Sequence, residues 1–326
     1  MRITVLSGGI GGATFTQGLL GCVDDETEIT VIGNTADDIW LHGLKVCPDL
    51  DTLMYTLGGG IDPERRWGRA EETWAVKDEL AAYGAEPTWF GLGDRDVATH
   101  LVRTQMLSAG YSLTDVTRAL CVRWQPGVRL LPMSDDRVES HVVVDDEESP
   151  SGRRAIHFQE YWVRLRASVP ARDVVMVGIE SARPAAGVVE AIAEADVVVL
   201  PPSNPVVSIG PIVAVPGIGE ALRTTTAPVV GVSPIIGGGA VRGMADQLLD
   251  GLGVEVSAGG VGTRYGARAT GGLLDGWLVD TSDADQLDVL EDAGLRTRAV
   301  PLYMSDEETT AQLVRDTLAL AEEARA

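Results

Sequence analysis

A chain of 326 residues with 45% apolar and 23% charged content has the composition of one large α/β domain or two small ones. Its net charge of −22 argues against a nucleic-acid partner, because a phosphate backbone calls for basic surface. No apolar run reaches the length of a membrane span and no cleavable signal opens the chain, so the expected setting is cytoplasmic with no membrane partner. Cys22, Cys47 and Cys121 lack metal-type spacing and read as reduced thiols.

Strand and helix signals alternate along most of the chain. That pattern predicts an α/β fold, a doubly wound, mostly parallel Rossmann-like sheet with helices on both faces. Residues 2–6 open as a buried strand, a helix follows over 13–20, and 28–32 form the second strand. Between strand and helix lies Ser7-Gly8-Gly9-Ile10-Gly11-Gly12. The loop is neither a Walker A sequence nor a strict Gly-x-Gly-x-x-Gly, since Thr14 stands at the last position. Asn34 replaces the acid that would grip an NAD ribose, which weakens a dehydrogenase reading. Gly8, Gly9, Gly11 and Gly12 still offer bare N–H groups at a helix start, a phosphate site in preference to a plain tight turn.

Two acidic blocks come next, Asn34-Thr35-Ala36-Asp37-Asp38 and Pro48-Asp49-Leu50-Asp51-Thr52. Carboxylate oxygens close behind a phosphate loop suit Mg²⁺. Asp49 and Asp51, two apart in a segment read as extended, point to one face; either could instead cap a helix beginning near Thr52. Helices are expected over 70–83, 95–109 and 113–123. Trp40, Trp67, Trp74 and Trp89 fall within the first ninety residues and could wall a planar ligand, although core packing explains any one of them. Gly91-Leu92-Gly93-Asp94-Arg95-Asp96 runs into the second of these helices, and Leu131-Pro132-Met133-Ser134-Asp135-Asp136 forms a polar elbow.

Residues 137–165 break the alternation. Residues 137–144 and 155–162 read as an antiparallel hairpin with a polar tip over 145–154, a small lobe or a dimer arm. Further buried strands are expected at 174–177, 197–200, 229–232, 278–279 and 299–302, with helices over 184–194, 241–252 and 306–324. Two loops directly follow strands in this half. Ser203, Asn204, Ser233 and Gly237 there offer hydroxyl, amide and backbone donors where ligands gather in open sheets. No linker or repeat divides the chain, so 1–326 reads as a single domain with 100–170 as a helical and hairpin elaboration.

Taken together, the glycine loop, both acidic blocks, Gly93-Asp94-Arg95-Asp96, Leu131–Asp136, Pro202-Ser203-Asn204-Pro205-x-x-Ser208-Ile209-Gly210 and Ser233-Pro234-Ile235-Ile236-Gly237 occur in an order that resembles one family. It is the 2-phospho-L-lactate transferase family of coenzyme F420 biosynthesis, and the resemblance covers essentially the whole chain. Leu57–Trp67 and Arg123-Trp124-Gln125-Pro126-Gly127 look closest to its actinobacterial phosphoenolpyruvate transferase (FbiA) branch.

The resemblance implies transfer of a phosphoenolpyruvyl or 2-phospho-L-lactyl group from a guanosine diphosphate conjugate to the ribityl hydroxyl of the deazaflavin Fo, with GMP released and Mg²⁺ required. Carried onto matching positions, it implies Asp37 and Asp51 as catalytic residues and metal ligands, with Asp38 and Asp49 as second choices. Asp51, Gly91, Asp94 and Arg95 would meet Fo. Gly8, Gly9, Gly11, Gly12, Ser203, Asn204, Ser233 and Gly237 would meet the guanosine diphosphate. A homodimer is expected from the family and the projecting hairpin. The alternative is a nucleotide-sugar-binding regulatory protein of a related branch, which shares the glycine loop and the Asn-x-x-Asp-Asp string of Asn34–Asp38 but looks unlike this chain at Pro48–Thr52 and Gly93–Asp96.

Overall fold

The computed structural model describes residues 1–325. The first half of the chain contains β1 (Arg2–Ser7), α1 (Gly9–Cys22), β2 (Glu28–Gly33), β3 (Ile39–Leu41), β4 (Leu44–Val46), α2 (Pro48–Leu57), α3 (Ala75–Ala82), α4 (Asp94–Ser108), α5 (Leu113–Trp124) and β5 (Arg129–Pro132). An antiparallel trio follows, β6 (Glu139–Asp145), β7 (Arg153–His157) and β8 (Asp173–Val177). The second half contains α6 (Val188–Ala193), β9 (Val197–Leu200), α7 (Ile209–Ala214), α8 (Ile218–Thr224), β10 (Val229–Val232), β11 (Ile235–Ile236) and β12 (Gly239–Ala240). It closes with α9 (Ala245–Gly251), α10 (Ala258–Tyr265), β13 (Gly276–Val279), α11 (Leu287–Asp292), β14 (Arg296–Ala299) and α12 (Glu307–Arg325).

Seven strands form the central sheet in the order β14-β13-β10-β9-β1-β2-β5, and every neighbouring pair is parallel. The chain winds from β1 outward through β2, then returns to place β9 on the other side of β1. A crevice therefore opens beyond the strand ends between β1 and β9, the position where open α/β sheets bind ligands. Burial of both faces explains the near-continuous apolar strands. Ile3 and Val5 of β1 face a layer built from α1, α2 and α12, packing with Phe15, Leu53 and Leu313. Leu6 faces the opposite layer, with Ile212, Leu222 and Leu248 from α7, α8 and α9. The doubly wound architecture read from the sequence is present.

Several local expectations are corrected. Residues 174–177 do form a strand, but β8 pairs antiparallel with β6 outside the central sheet and alternates exposed with half-buried positions. Its run of valines reports a β-branched strand, not full burial. The 137–165 hairpin is present as β6 and β7, yet its second arm ends at His157, and Glu160–Arg164 is a π-helix. The last strand lies at Arg296–Ala299, shifted from 299–302, because α11 ends at Asp292 and delivers the chain to the sheet edge sooner. Asp49 and Asp51 are not on an extended segment: α2 begins at Pro48, which takes the first helical position where no N–H is needed.

Candidate active site

A cleft of about 740 Å³ lies over the C-terminal ends of the central strands. Its floor at the β1–α1 turn is set by close backbone packing. Gly9 has φ +63°, a left-handed conformation that glycine adopts without strain. A Cβ on Gly8 would sit 2.5 Å from Asp49 Oδ2 and 2.7 Å from Ser208 Cβ, and one on Gly11 would overlap the Pro202 carbonyl oxygen. Glycine here lets the β1 and β9 loops touch. The Gly8 side of the helix start has no side-chain cap of its own; Gly8 N–H reaches Ser203 Oγ at 3.5 Å and the Gly9 backbone bonds Asp49.

Gly8, Gly9 and Gly11 line the cleft, as do Ser203, Asn204 and Ser233 from the β9 and β10 loops. Their side chains mostly hold those loops. Ser203 Oγ donates to the Gly8 carbonyl at 2.9 Å, which ties the β9 loop to the glycine turn. Asn204 Oδ1 accepts from Val206 N at 2.9 Å and Val207 N at 3.2 Å. Ser233 Oγ donates to the Ile235 carbonyl at 2.9 Å. Gly12 is buried behind the turn, where a Cβ would overlap Ser7 Oγ, and it does not line the cleft. Gly237 is also outside it, its N–H held by Asp283 at 3.0 Å.

The carboxylates adjoin the glycine turn, with Asp49 packed against it. Asp37, Asp49 and Asp51 line the cleft and are nearly buried, at 4%, 7% and 6% exposure. Asp49 Oδ2 accepts from Asn34 Nδ2 at 2.9 Å, and burial pushes the Asp49 carboxyl up to about 6. Burial, then the neighbouring charges of Asp49 and Asp38, hold Asp37 well above the usual carboxylate range. Asp38 turns away from the cleft: its Oδ2 meets Lys45 Nζ at 3.1 Å and accepts from Cys47 Sγ at 3.0 Å. Asp51 Oδ1 is paired with the Arg103 guanidinium.

Helix α4 supplies residues that the motif reading did not single out as ligands. Asp96 and His100 both line the cleft, and Arg103 continues the same helical face one turn on. Burial, reinforced by the Asp51 charge, pushes the Asp96 carboxyl up to about 7. Burial lowers His100 to about 4. The i, i+4, i+7 spacing of Asp96, His100 and Arg103 is visible in the sequence and would have located this face. Asp94 and Arg95 leave the cleft, because they start the helix: Asp94 accepts from Thr73 Oγ1, Ala75 N and Val76 N, and Arg95 pairs with Glu71 at 3.3 Å. Gly91 does line the cleft, beside Phe90 and Leu92.

Long-range packing adds the remaining wall. Trp67, Phe158 and Trp162 give aromatic surface, Trp162 from the turn after the β6–β7 hairpin. Arg66 and Arg242 are the arginines on the lining. Arg66 has φ +63°, and its Nη2 donates to Thr14 Oγ1 on α1 at 2.8 Å, beside the glycine turn. No local pattern marks Arg66, since the loop that carries it folds back from α2.

Asp37 Oδ1 and Asp51 Oδ2, both on lining residues, are buried without a hydrogen-bond partner, whereas Asp96 and Tyr55 reach each other. Orphaned acceptors of this kind cost stability unless something external meets them. Among the described residues no three His, Cys, Asp or Glu side chains converge as a ready metal cage. Mg²⁺ takes one or two carboxylates and completes its shell with water and substrate phosphate. Asp37 and Asp51, each with one unpartnered oxygen, are the residues that would hold it.

The family model for the "2-phospho-L-lactate transferase CofD" matches residues 3–317. Proteins named phosphoenolpyruvate transferase are similar along their whole length. One from Kitasatospora aureofaciens is 64% identical over 325 residues, covering 100% of this chain and 99% of that protein. One from Streptomyces griseus is 65% identical over 327 residues with 100% of both covered, and one from Mycolicibacterium smegmatis is 58% identical over 329 residues, 98% of this chain and 99% of that one. A crystal structure of a Bacillus halodurans protein shares the fold at a TM-score of 0.63 and 18% identity, covering 97% of this chain and 99% of that one.

Proposed function

Because the chain belongs to the 2-phospho-L-lactate transferase CofD family and is a transferase of a phosphate-containing group, we propose that its cleft moves a phosphoenolpyruvyl or 2-phospho-L-lactyl group onto Fo. The donor is the guanosine diphosphate conjugate of the three-carbon acid. The primary ribityl hydroxyl oxygen of Fo attacks the phosphorus that bears the acid. The bond from that phosphorus to the bridging oxygen breaks, and the electron pair leaves with GMP. The hydroxyl proton passes to a carboxylate of the acidic wall. The product is F420-0 or its dehydro form.

The observation that carries this reading is the set of orphaned acceptors facing a glycine-floored cleft. Phosphoryl transfer relies on positioning and charge neutralisation, and carboxylates with free oxygens beside a turn rich in N–H groups are suited to both. Mg²⁺ held by Asp37 and Asp51 would neutralise charge on the diphosphate. Gly8, Gly9 and Gly11 offer backbone donors to that diphosphate, with Arg66 above them. Ser203, Asn204 and Ser233 shape the adjoining guanosine pocket. The aromatic surface of Trp67, Phe158 and Trp162 suits the deazaflavin rings, near Gly91 and Asp51.

The test is direct. Purified protein is incubated with Fo, Mg²⁺ and each guanosine diphosphate conjugate, and products are read by mass. Fo gaining a phosphoenolpyruvyl or phospholactyl group, with GMP in equal amount, is the expected result. Folded protein that yields no product but binds a nucleotide sugar would favour the regulatory alternative.

A further inference from the structure

His100 and Arg103 meet beside Asp51, nearly out of water at 3% and 2% exposure. A guanidinium carries no acceptor, so each contact it makes is as a donor. Arg103 Nη2 donates to Asp51 Oδ1. Arg103 Nη1 has two hydrogens and two acceptors within reach, the Lys45 carbonyl oxygen at 3.3 Å and His100 Nδ1 at 3.0 Å. A ring nitrogen that accepts from a guanidinium must hold a lone pair, so the single imidazole proton belongs on Nε2. Asp51 Oδ2 lies 3.7 Å from Nδ1, beyond the range in which it could compete for a proton there. The ring lines the cleft, and no acceptor among the described residues takes a hydrogen bond from Nε2.

We propose that Arg103 is a positioning residue that fixes His100 as the neutral Nε2–H tautomer, and that His100 donates this hydrogen to a phosphoryl oxygen of the ligand beside Asp51. The histidine is then a donor and not the base. Its one lone pair is occupied by Arg103, which leaves a carboxylate to receive the hydroxyl proton. The tautomer follows from the hydrogen bonds alone, whereas the identity of the accepting oxygen rests on the transfer proposed above.

Two measurements separate these levels. Long-range ¹H–¹⁵N correlation spectra of the full-length protein at pH 7, with His100 identified by its loss in His100→Gln, should show the Nε2–H pattern. Arg103→Lys cannot reach Asp51, Lys45 and His100 together, and should release His100 into a mixture of tautomers. An Nδ1–H or doubly protonated ring in the unmodified protein would overturn the inference, as would an unchanged tautomer in Arg103→Lys. The second measurement is turnover. Glutamine places an amide N–H near the Nε2 position and asparagine near Nδ1, so His100→Gln should keep a kcat roughly tenfold or more above His100→Asn, with KM little changed. Equal loss in both folded variants would overturn the donor role. Absence of turnover in the unmodified protein would count against the transferase reading, while the tautomer spectra would still decide the role of Arg103.

Discussion

Asp51 on α2 and Arg103 on α4 form an ion pair that is buried on both sides, with 6% and 2% of each residue exposed. The pair joins two helices that come from separate parts of the chain, and leaves Asp51 Oδ2 unpartnered beside the cleft. Removing one member of such a pair strands a charge out of water, at a cost of roughly 3–5 kcal/mol. Arg103→Leu should therefore lower the unfolding free energy by about that amount in chemical denaturation. A loss below about 1 kcal/mol would mean that the pair is solvated and does not organise the wall.

Asp51→Asn tests chemistry at the same point. The amide keeps the shape and can still accept from Arg103 through its oxygen, but the negative charge facing the cleft is gone. Turnover should fall by roughly a hundredfold or more, with a smaller stability loss than Arg103→Leu. Near-normal kcat in folded Asp51→Asn would remove Asp51 from the proposed metal-holding role.

Asp96 gives a signed pH prediction. Its carboxyl is raised to about 7 by burial and by Asp51, so the folded state prefers it protonated. Stability from this group is fully present below the unfolded value near 4 and is lost as pH rises through about 7. Asp96→Asn should raise the melting temperature at pH 8, by an effect on the order of 1–3 kcal/mol, and have little effect at about pH 4 or below. Equal effects at both pH values would show that Asp96 is not held protonated.

Two glycines in α1 should respond in opposite directions. Gly12→Ala would press a methyl group into Ser7 Oγ and to within 2.6 Å of Ser203 Oγ. It should destabilise by roughly 1–3 kcal/mol and weaken nucleotide binding by moving the β9 loop. Gly21→Ala meets nothing within 4 Å, and should stabilise by about 0.5–1 kcal/mol through helix propensity. Thermal unfolding of both variants against the parent chain measures the contrast.

Mg²⁺ should bind weakly by itself and more tightly with a diphosphate, because Asp37 and Asp51 each present a single unpartnered oxygen. Calorimetric titration of Mg²⁺ with and without GDP reads this directly. In the same format, Arg66→Ala should weaken GDP binding about tenfold, a loss that grows smaller at high salt. Tight Mg²⁺ binding without nucleotide would point instead to a complete protein-built metal site.

The sequence by itself determined the layered architecture. Apolar strands alternating with helix signals require both sheet faces to be covered, and glycines, serines and asparagines directly after strands belong at the ends where loops converge. It also carried the family, since ordered short motifs survive as strings. What it left open was where side chains point. Pro48 turned an expected extended segment into a helix, and burial on α2 placed Asp49 and Asp51 in the cleft wall. In Asp94–Asp96, helix phase spent Asp94 on a cap and sent Asp96 inward. Only the tertiary structure decided that Arg103 would hold Asp51, that Arg66 would reach the glycine turn, and that Trp162 would close the far wall. Those pairings join residues tens of positions apart, and they are fixed by packing and by the need to satisfy buried charge, which no local stretch of sequence encodes.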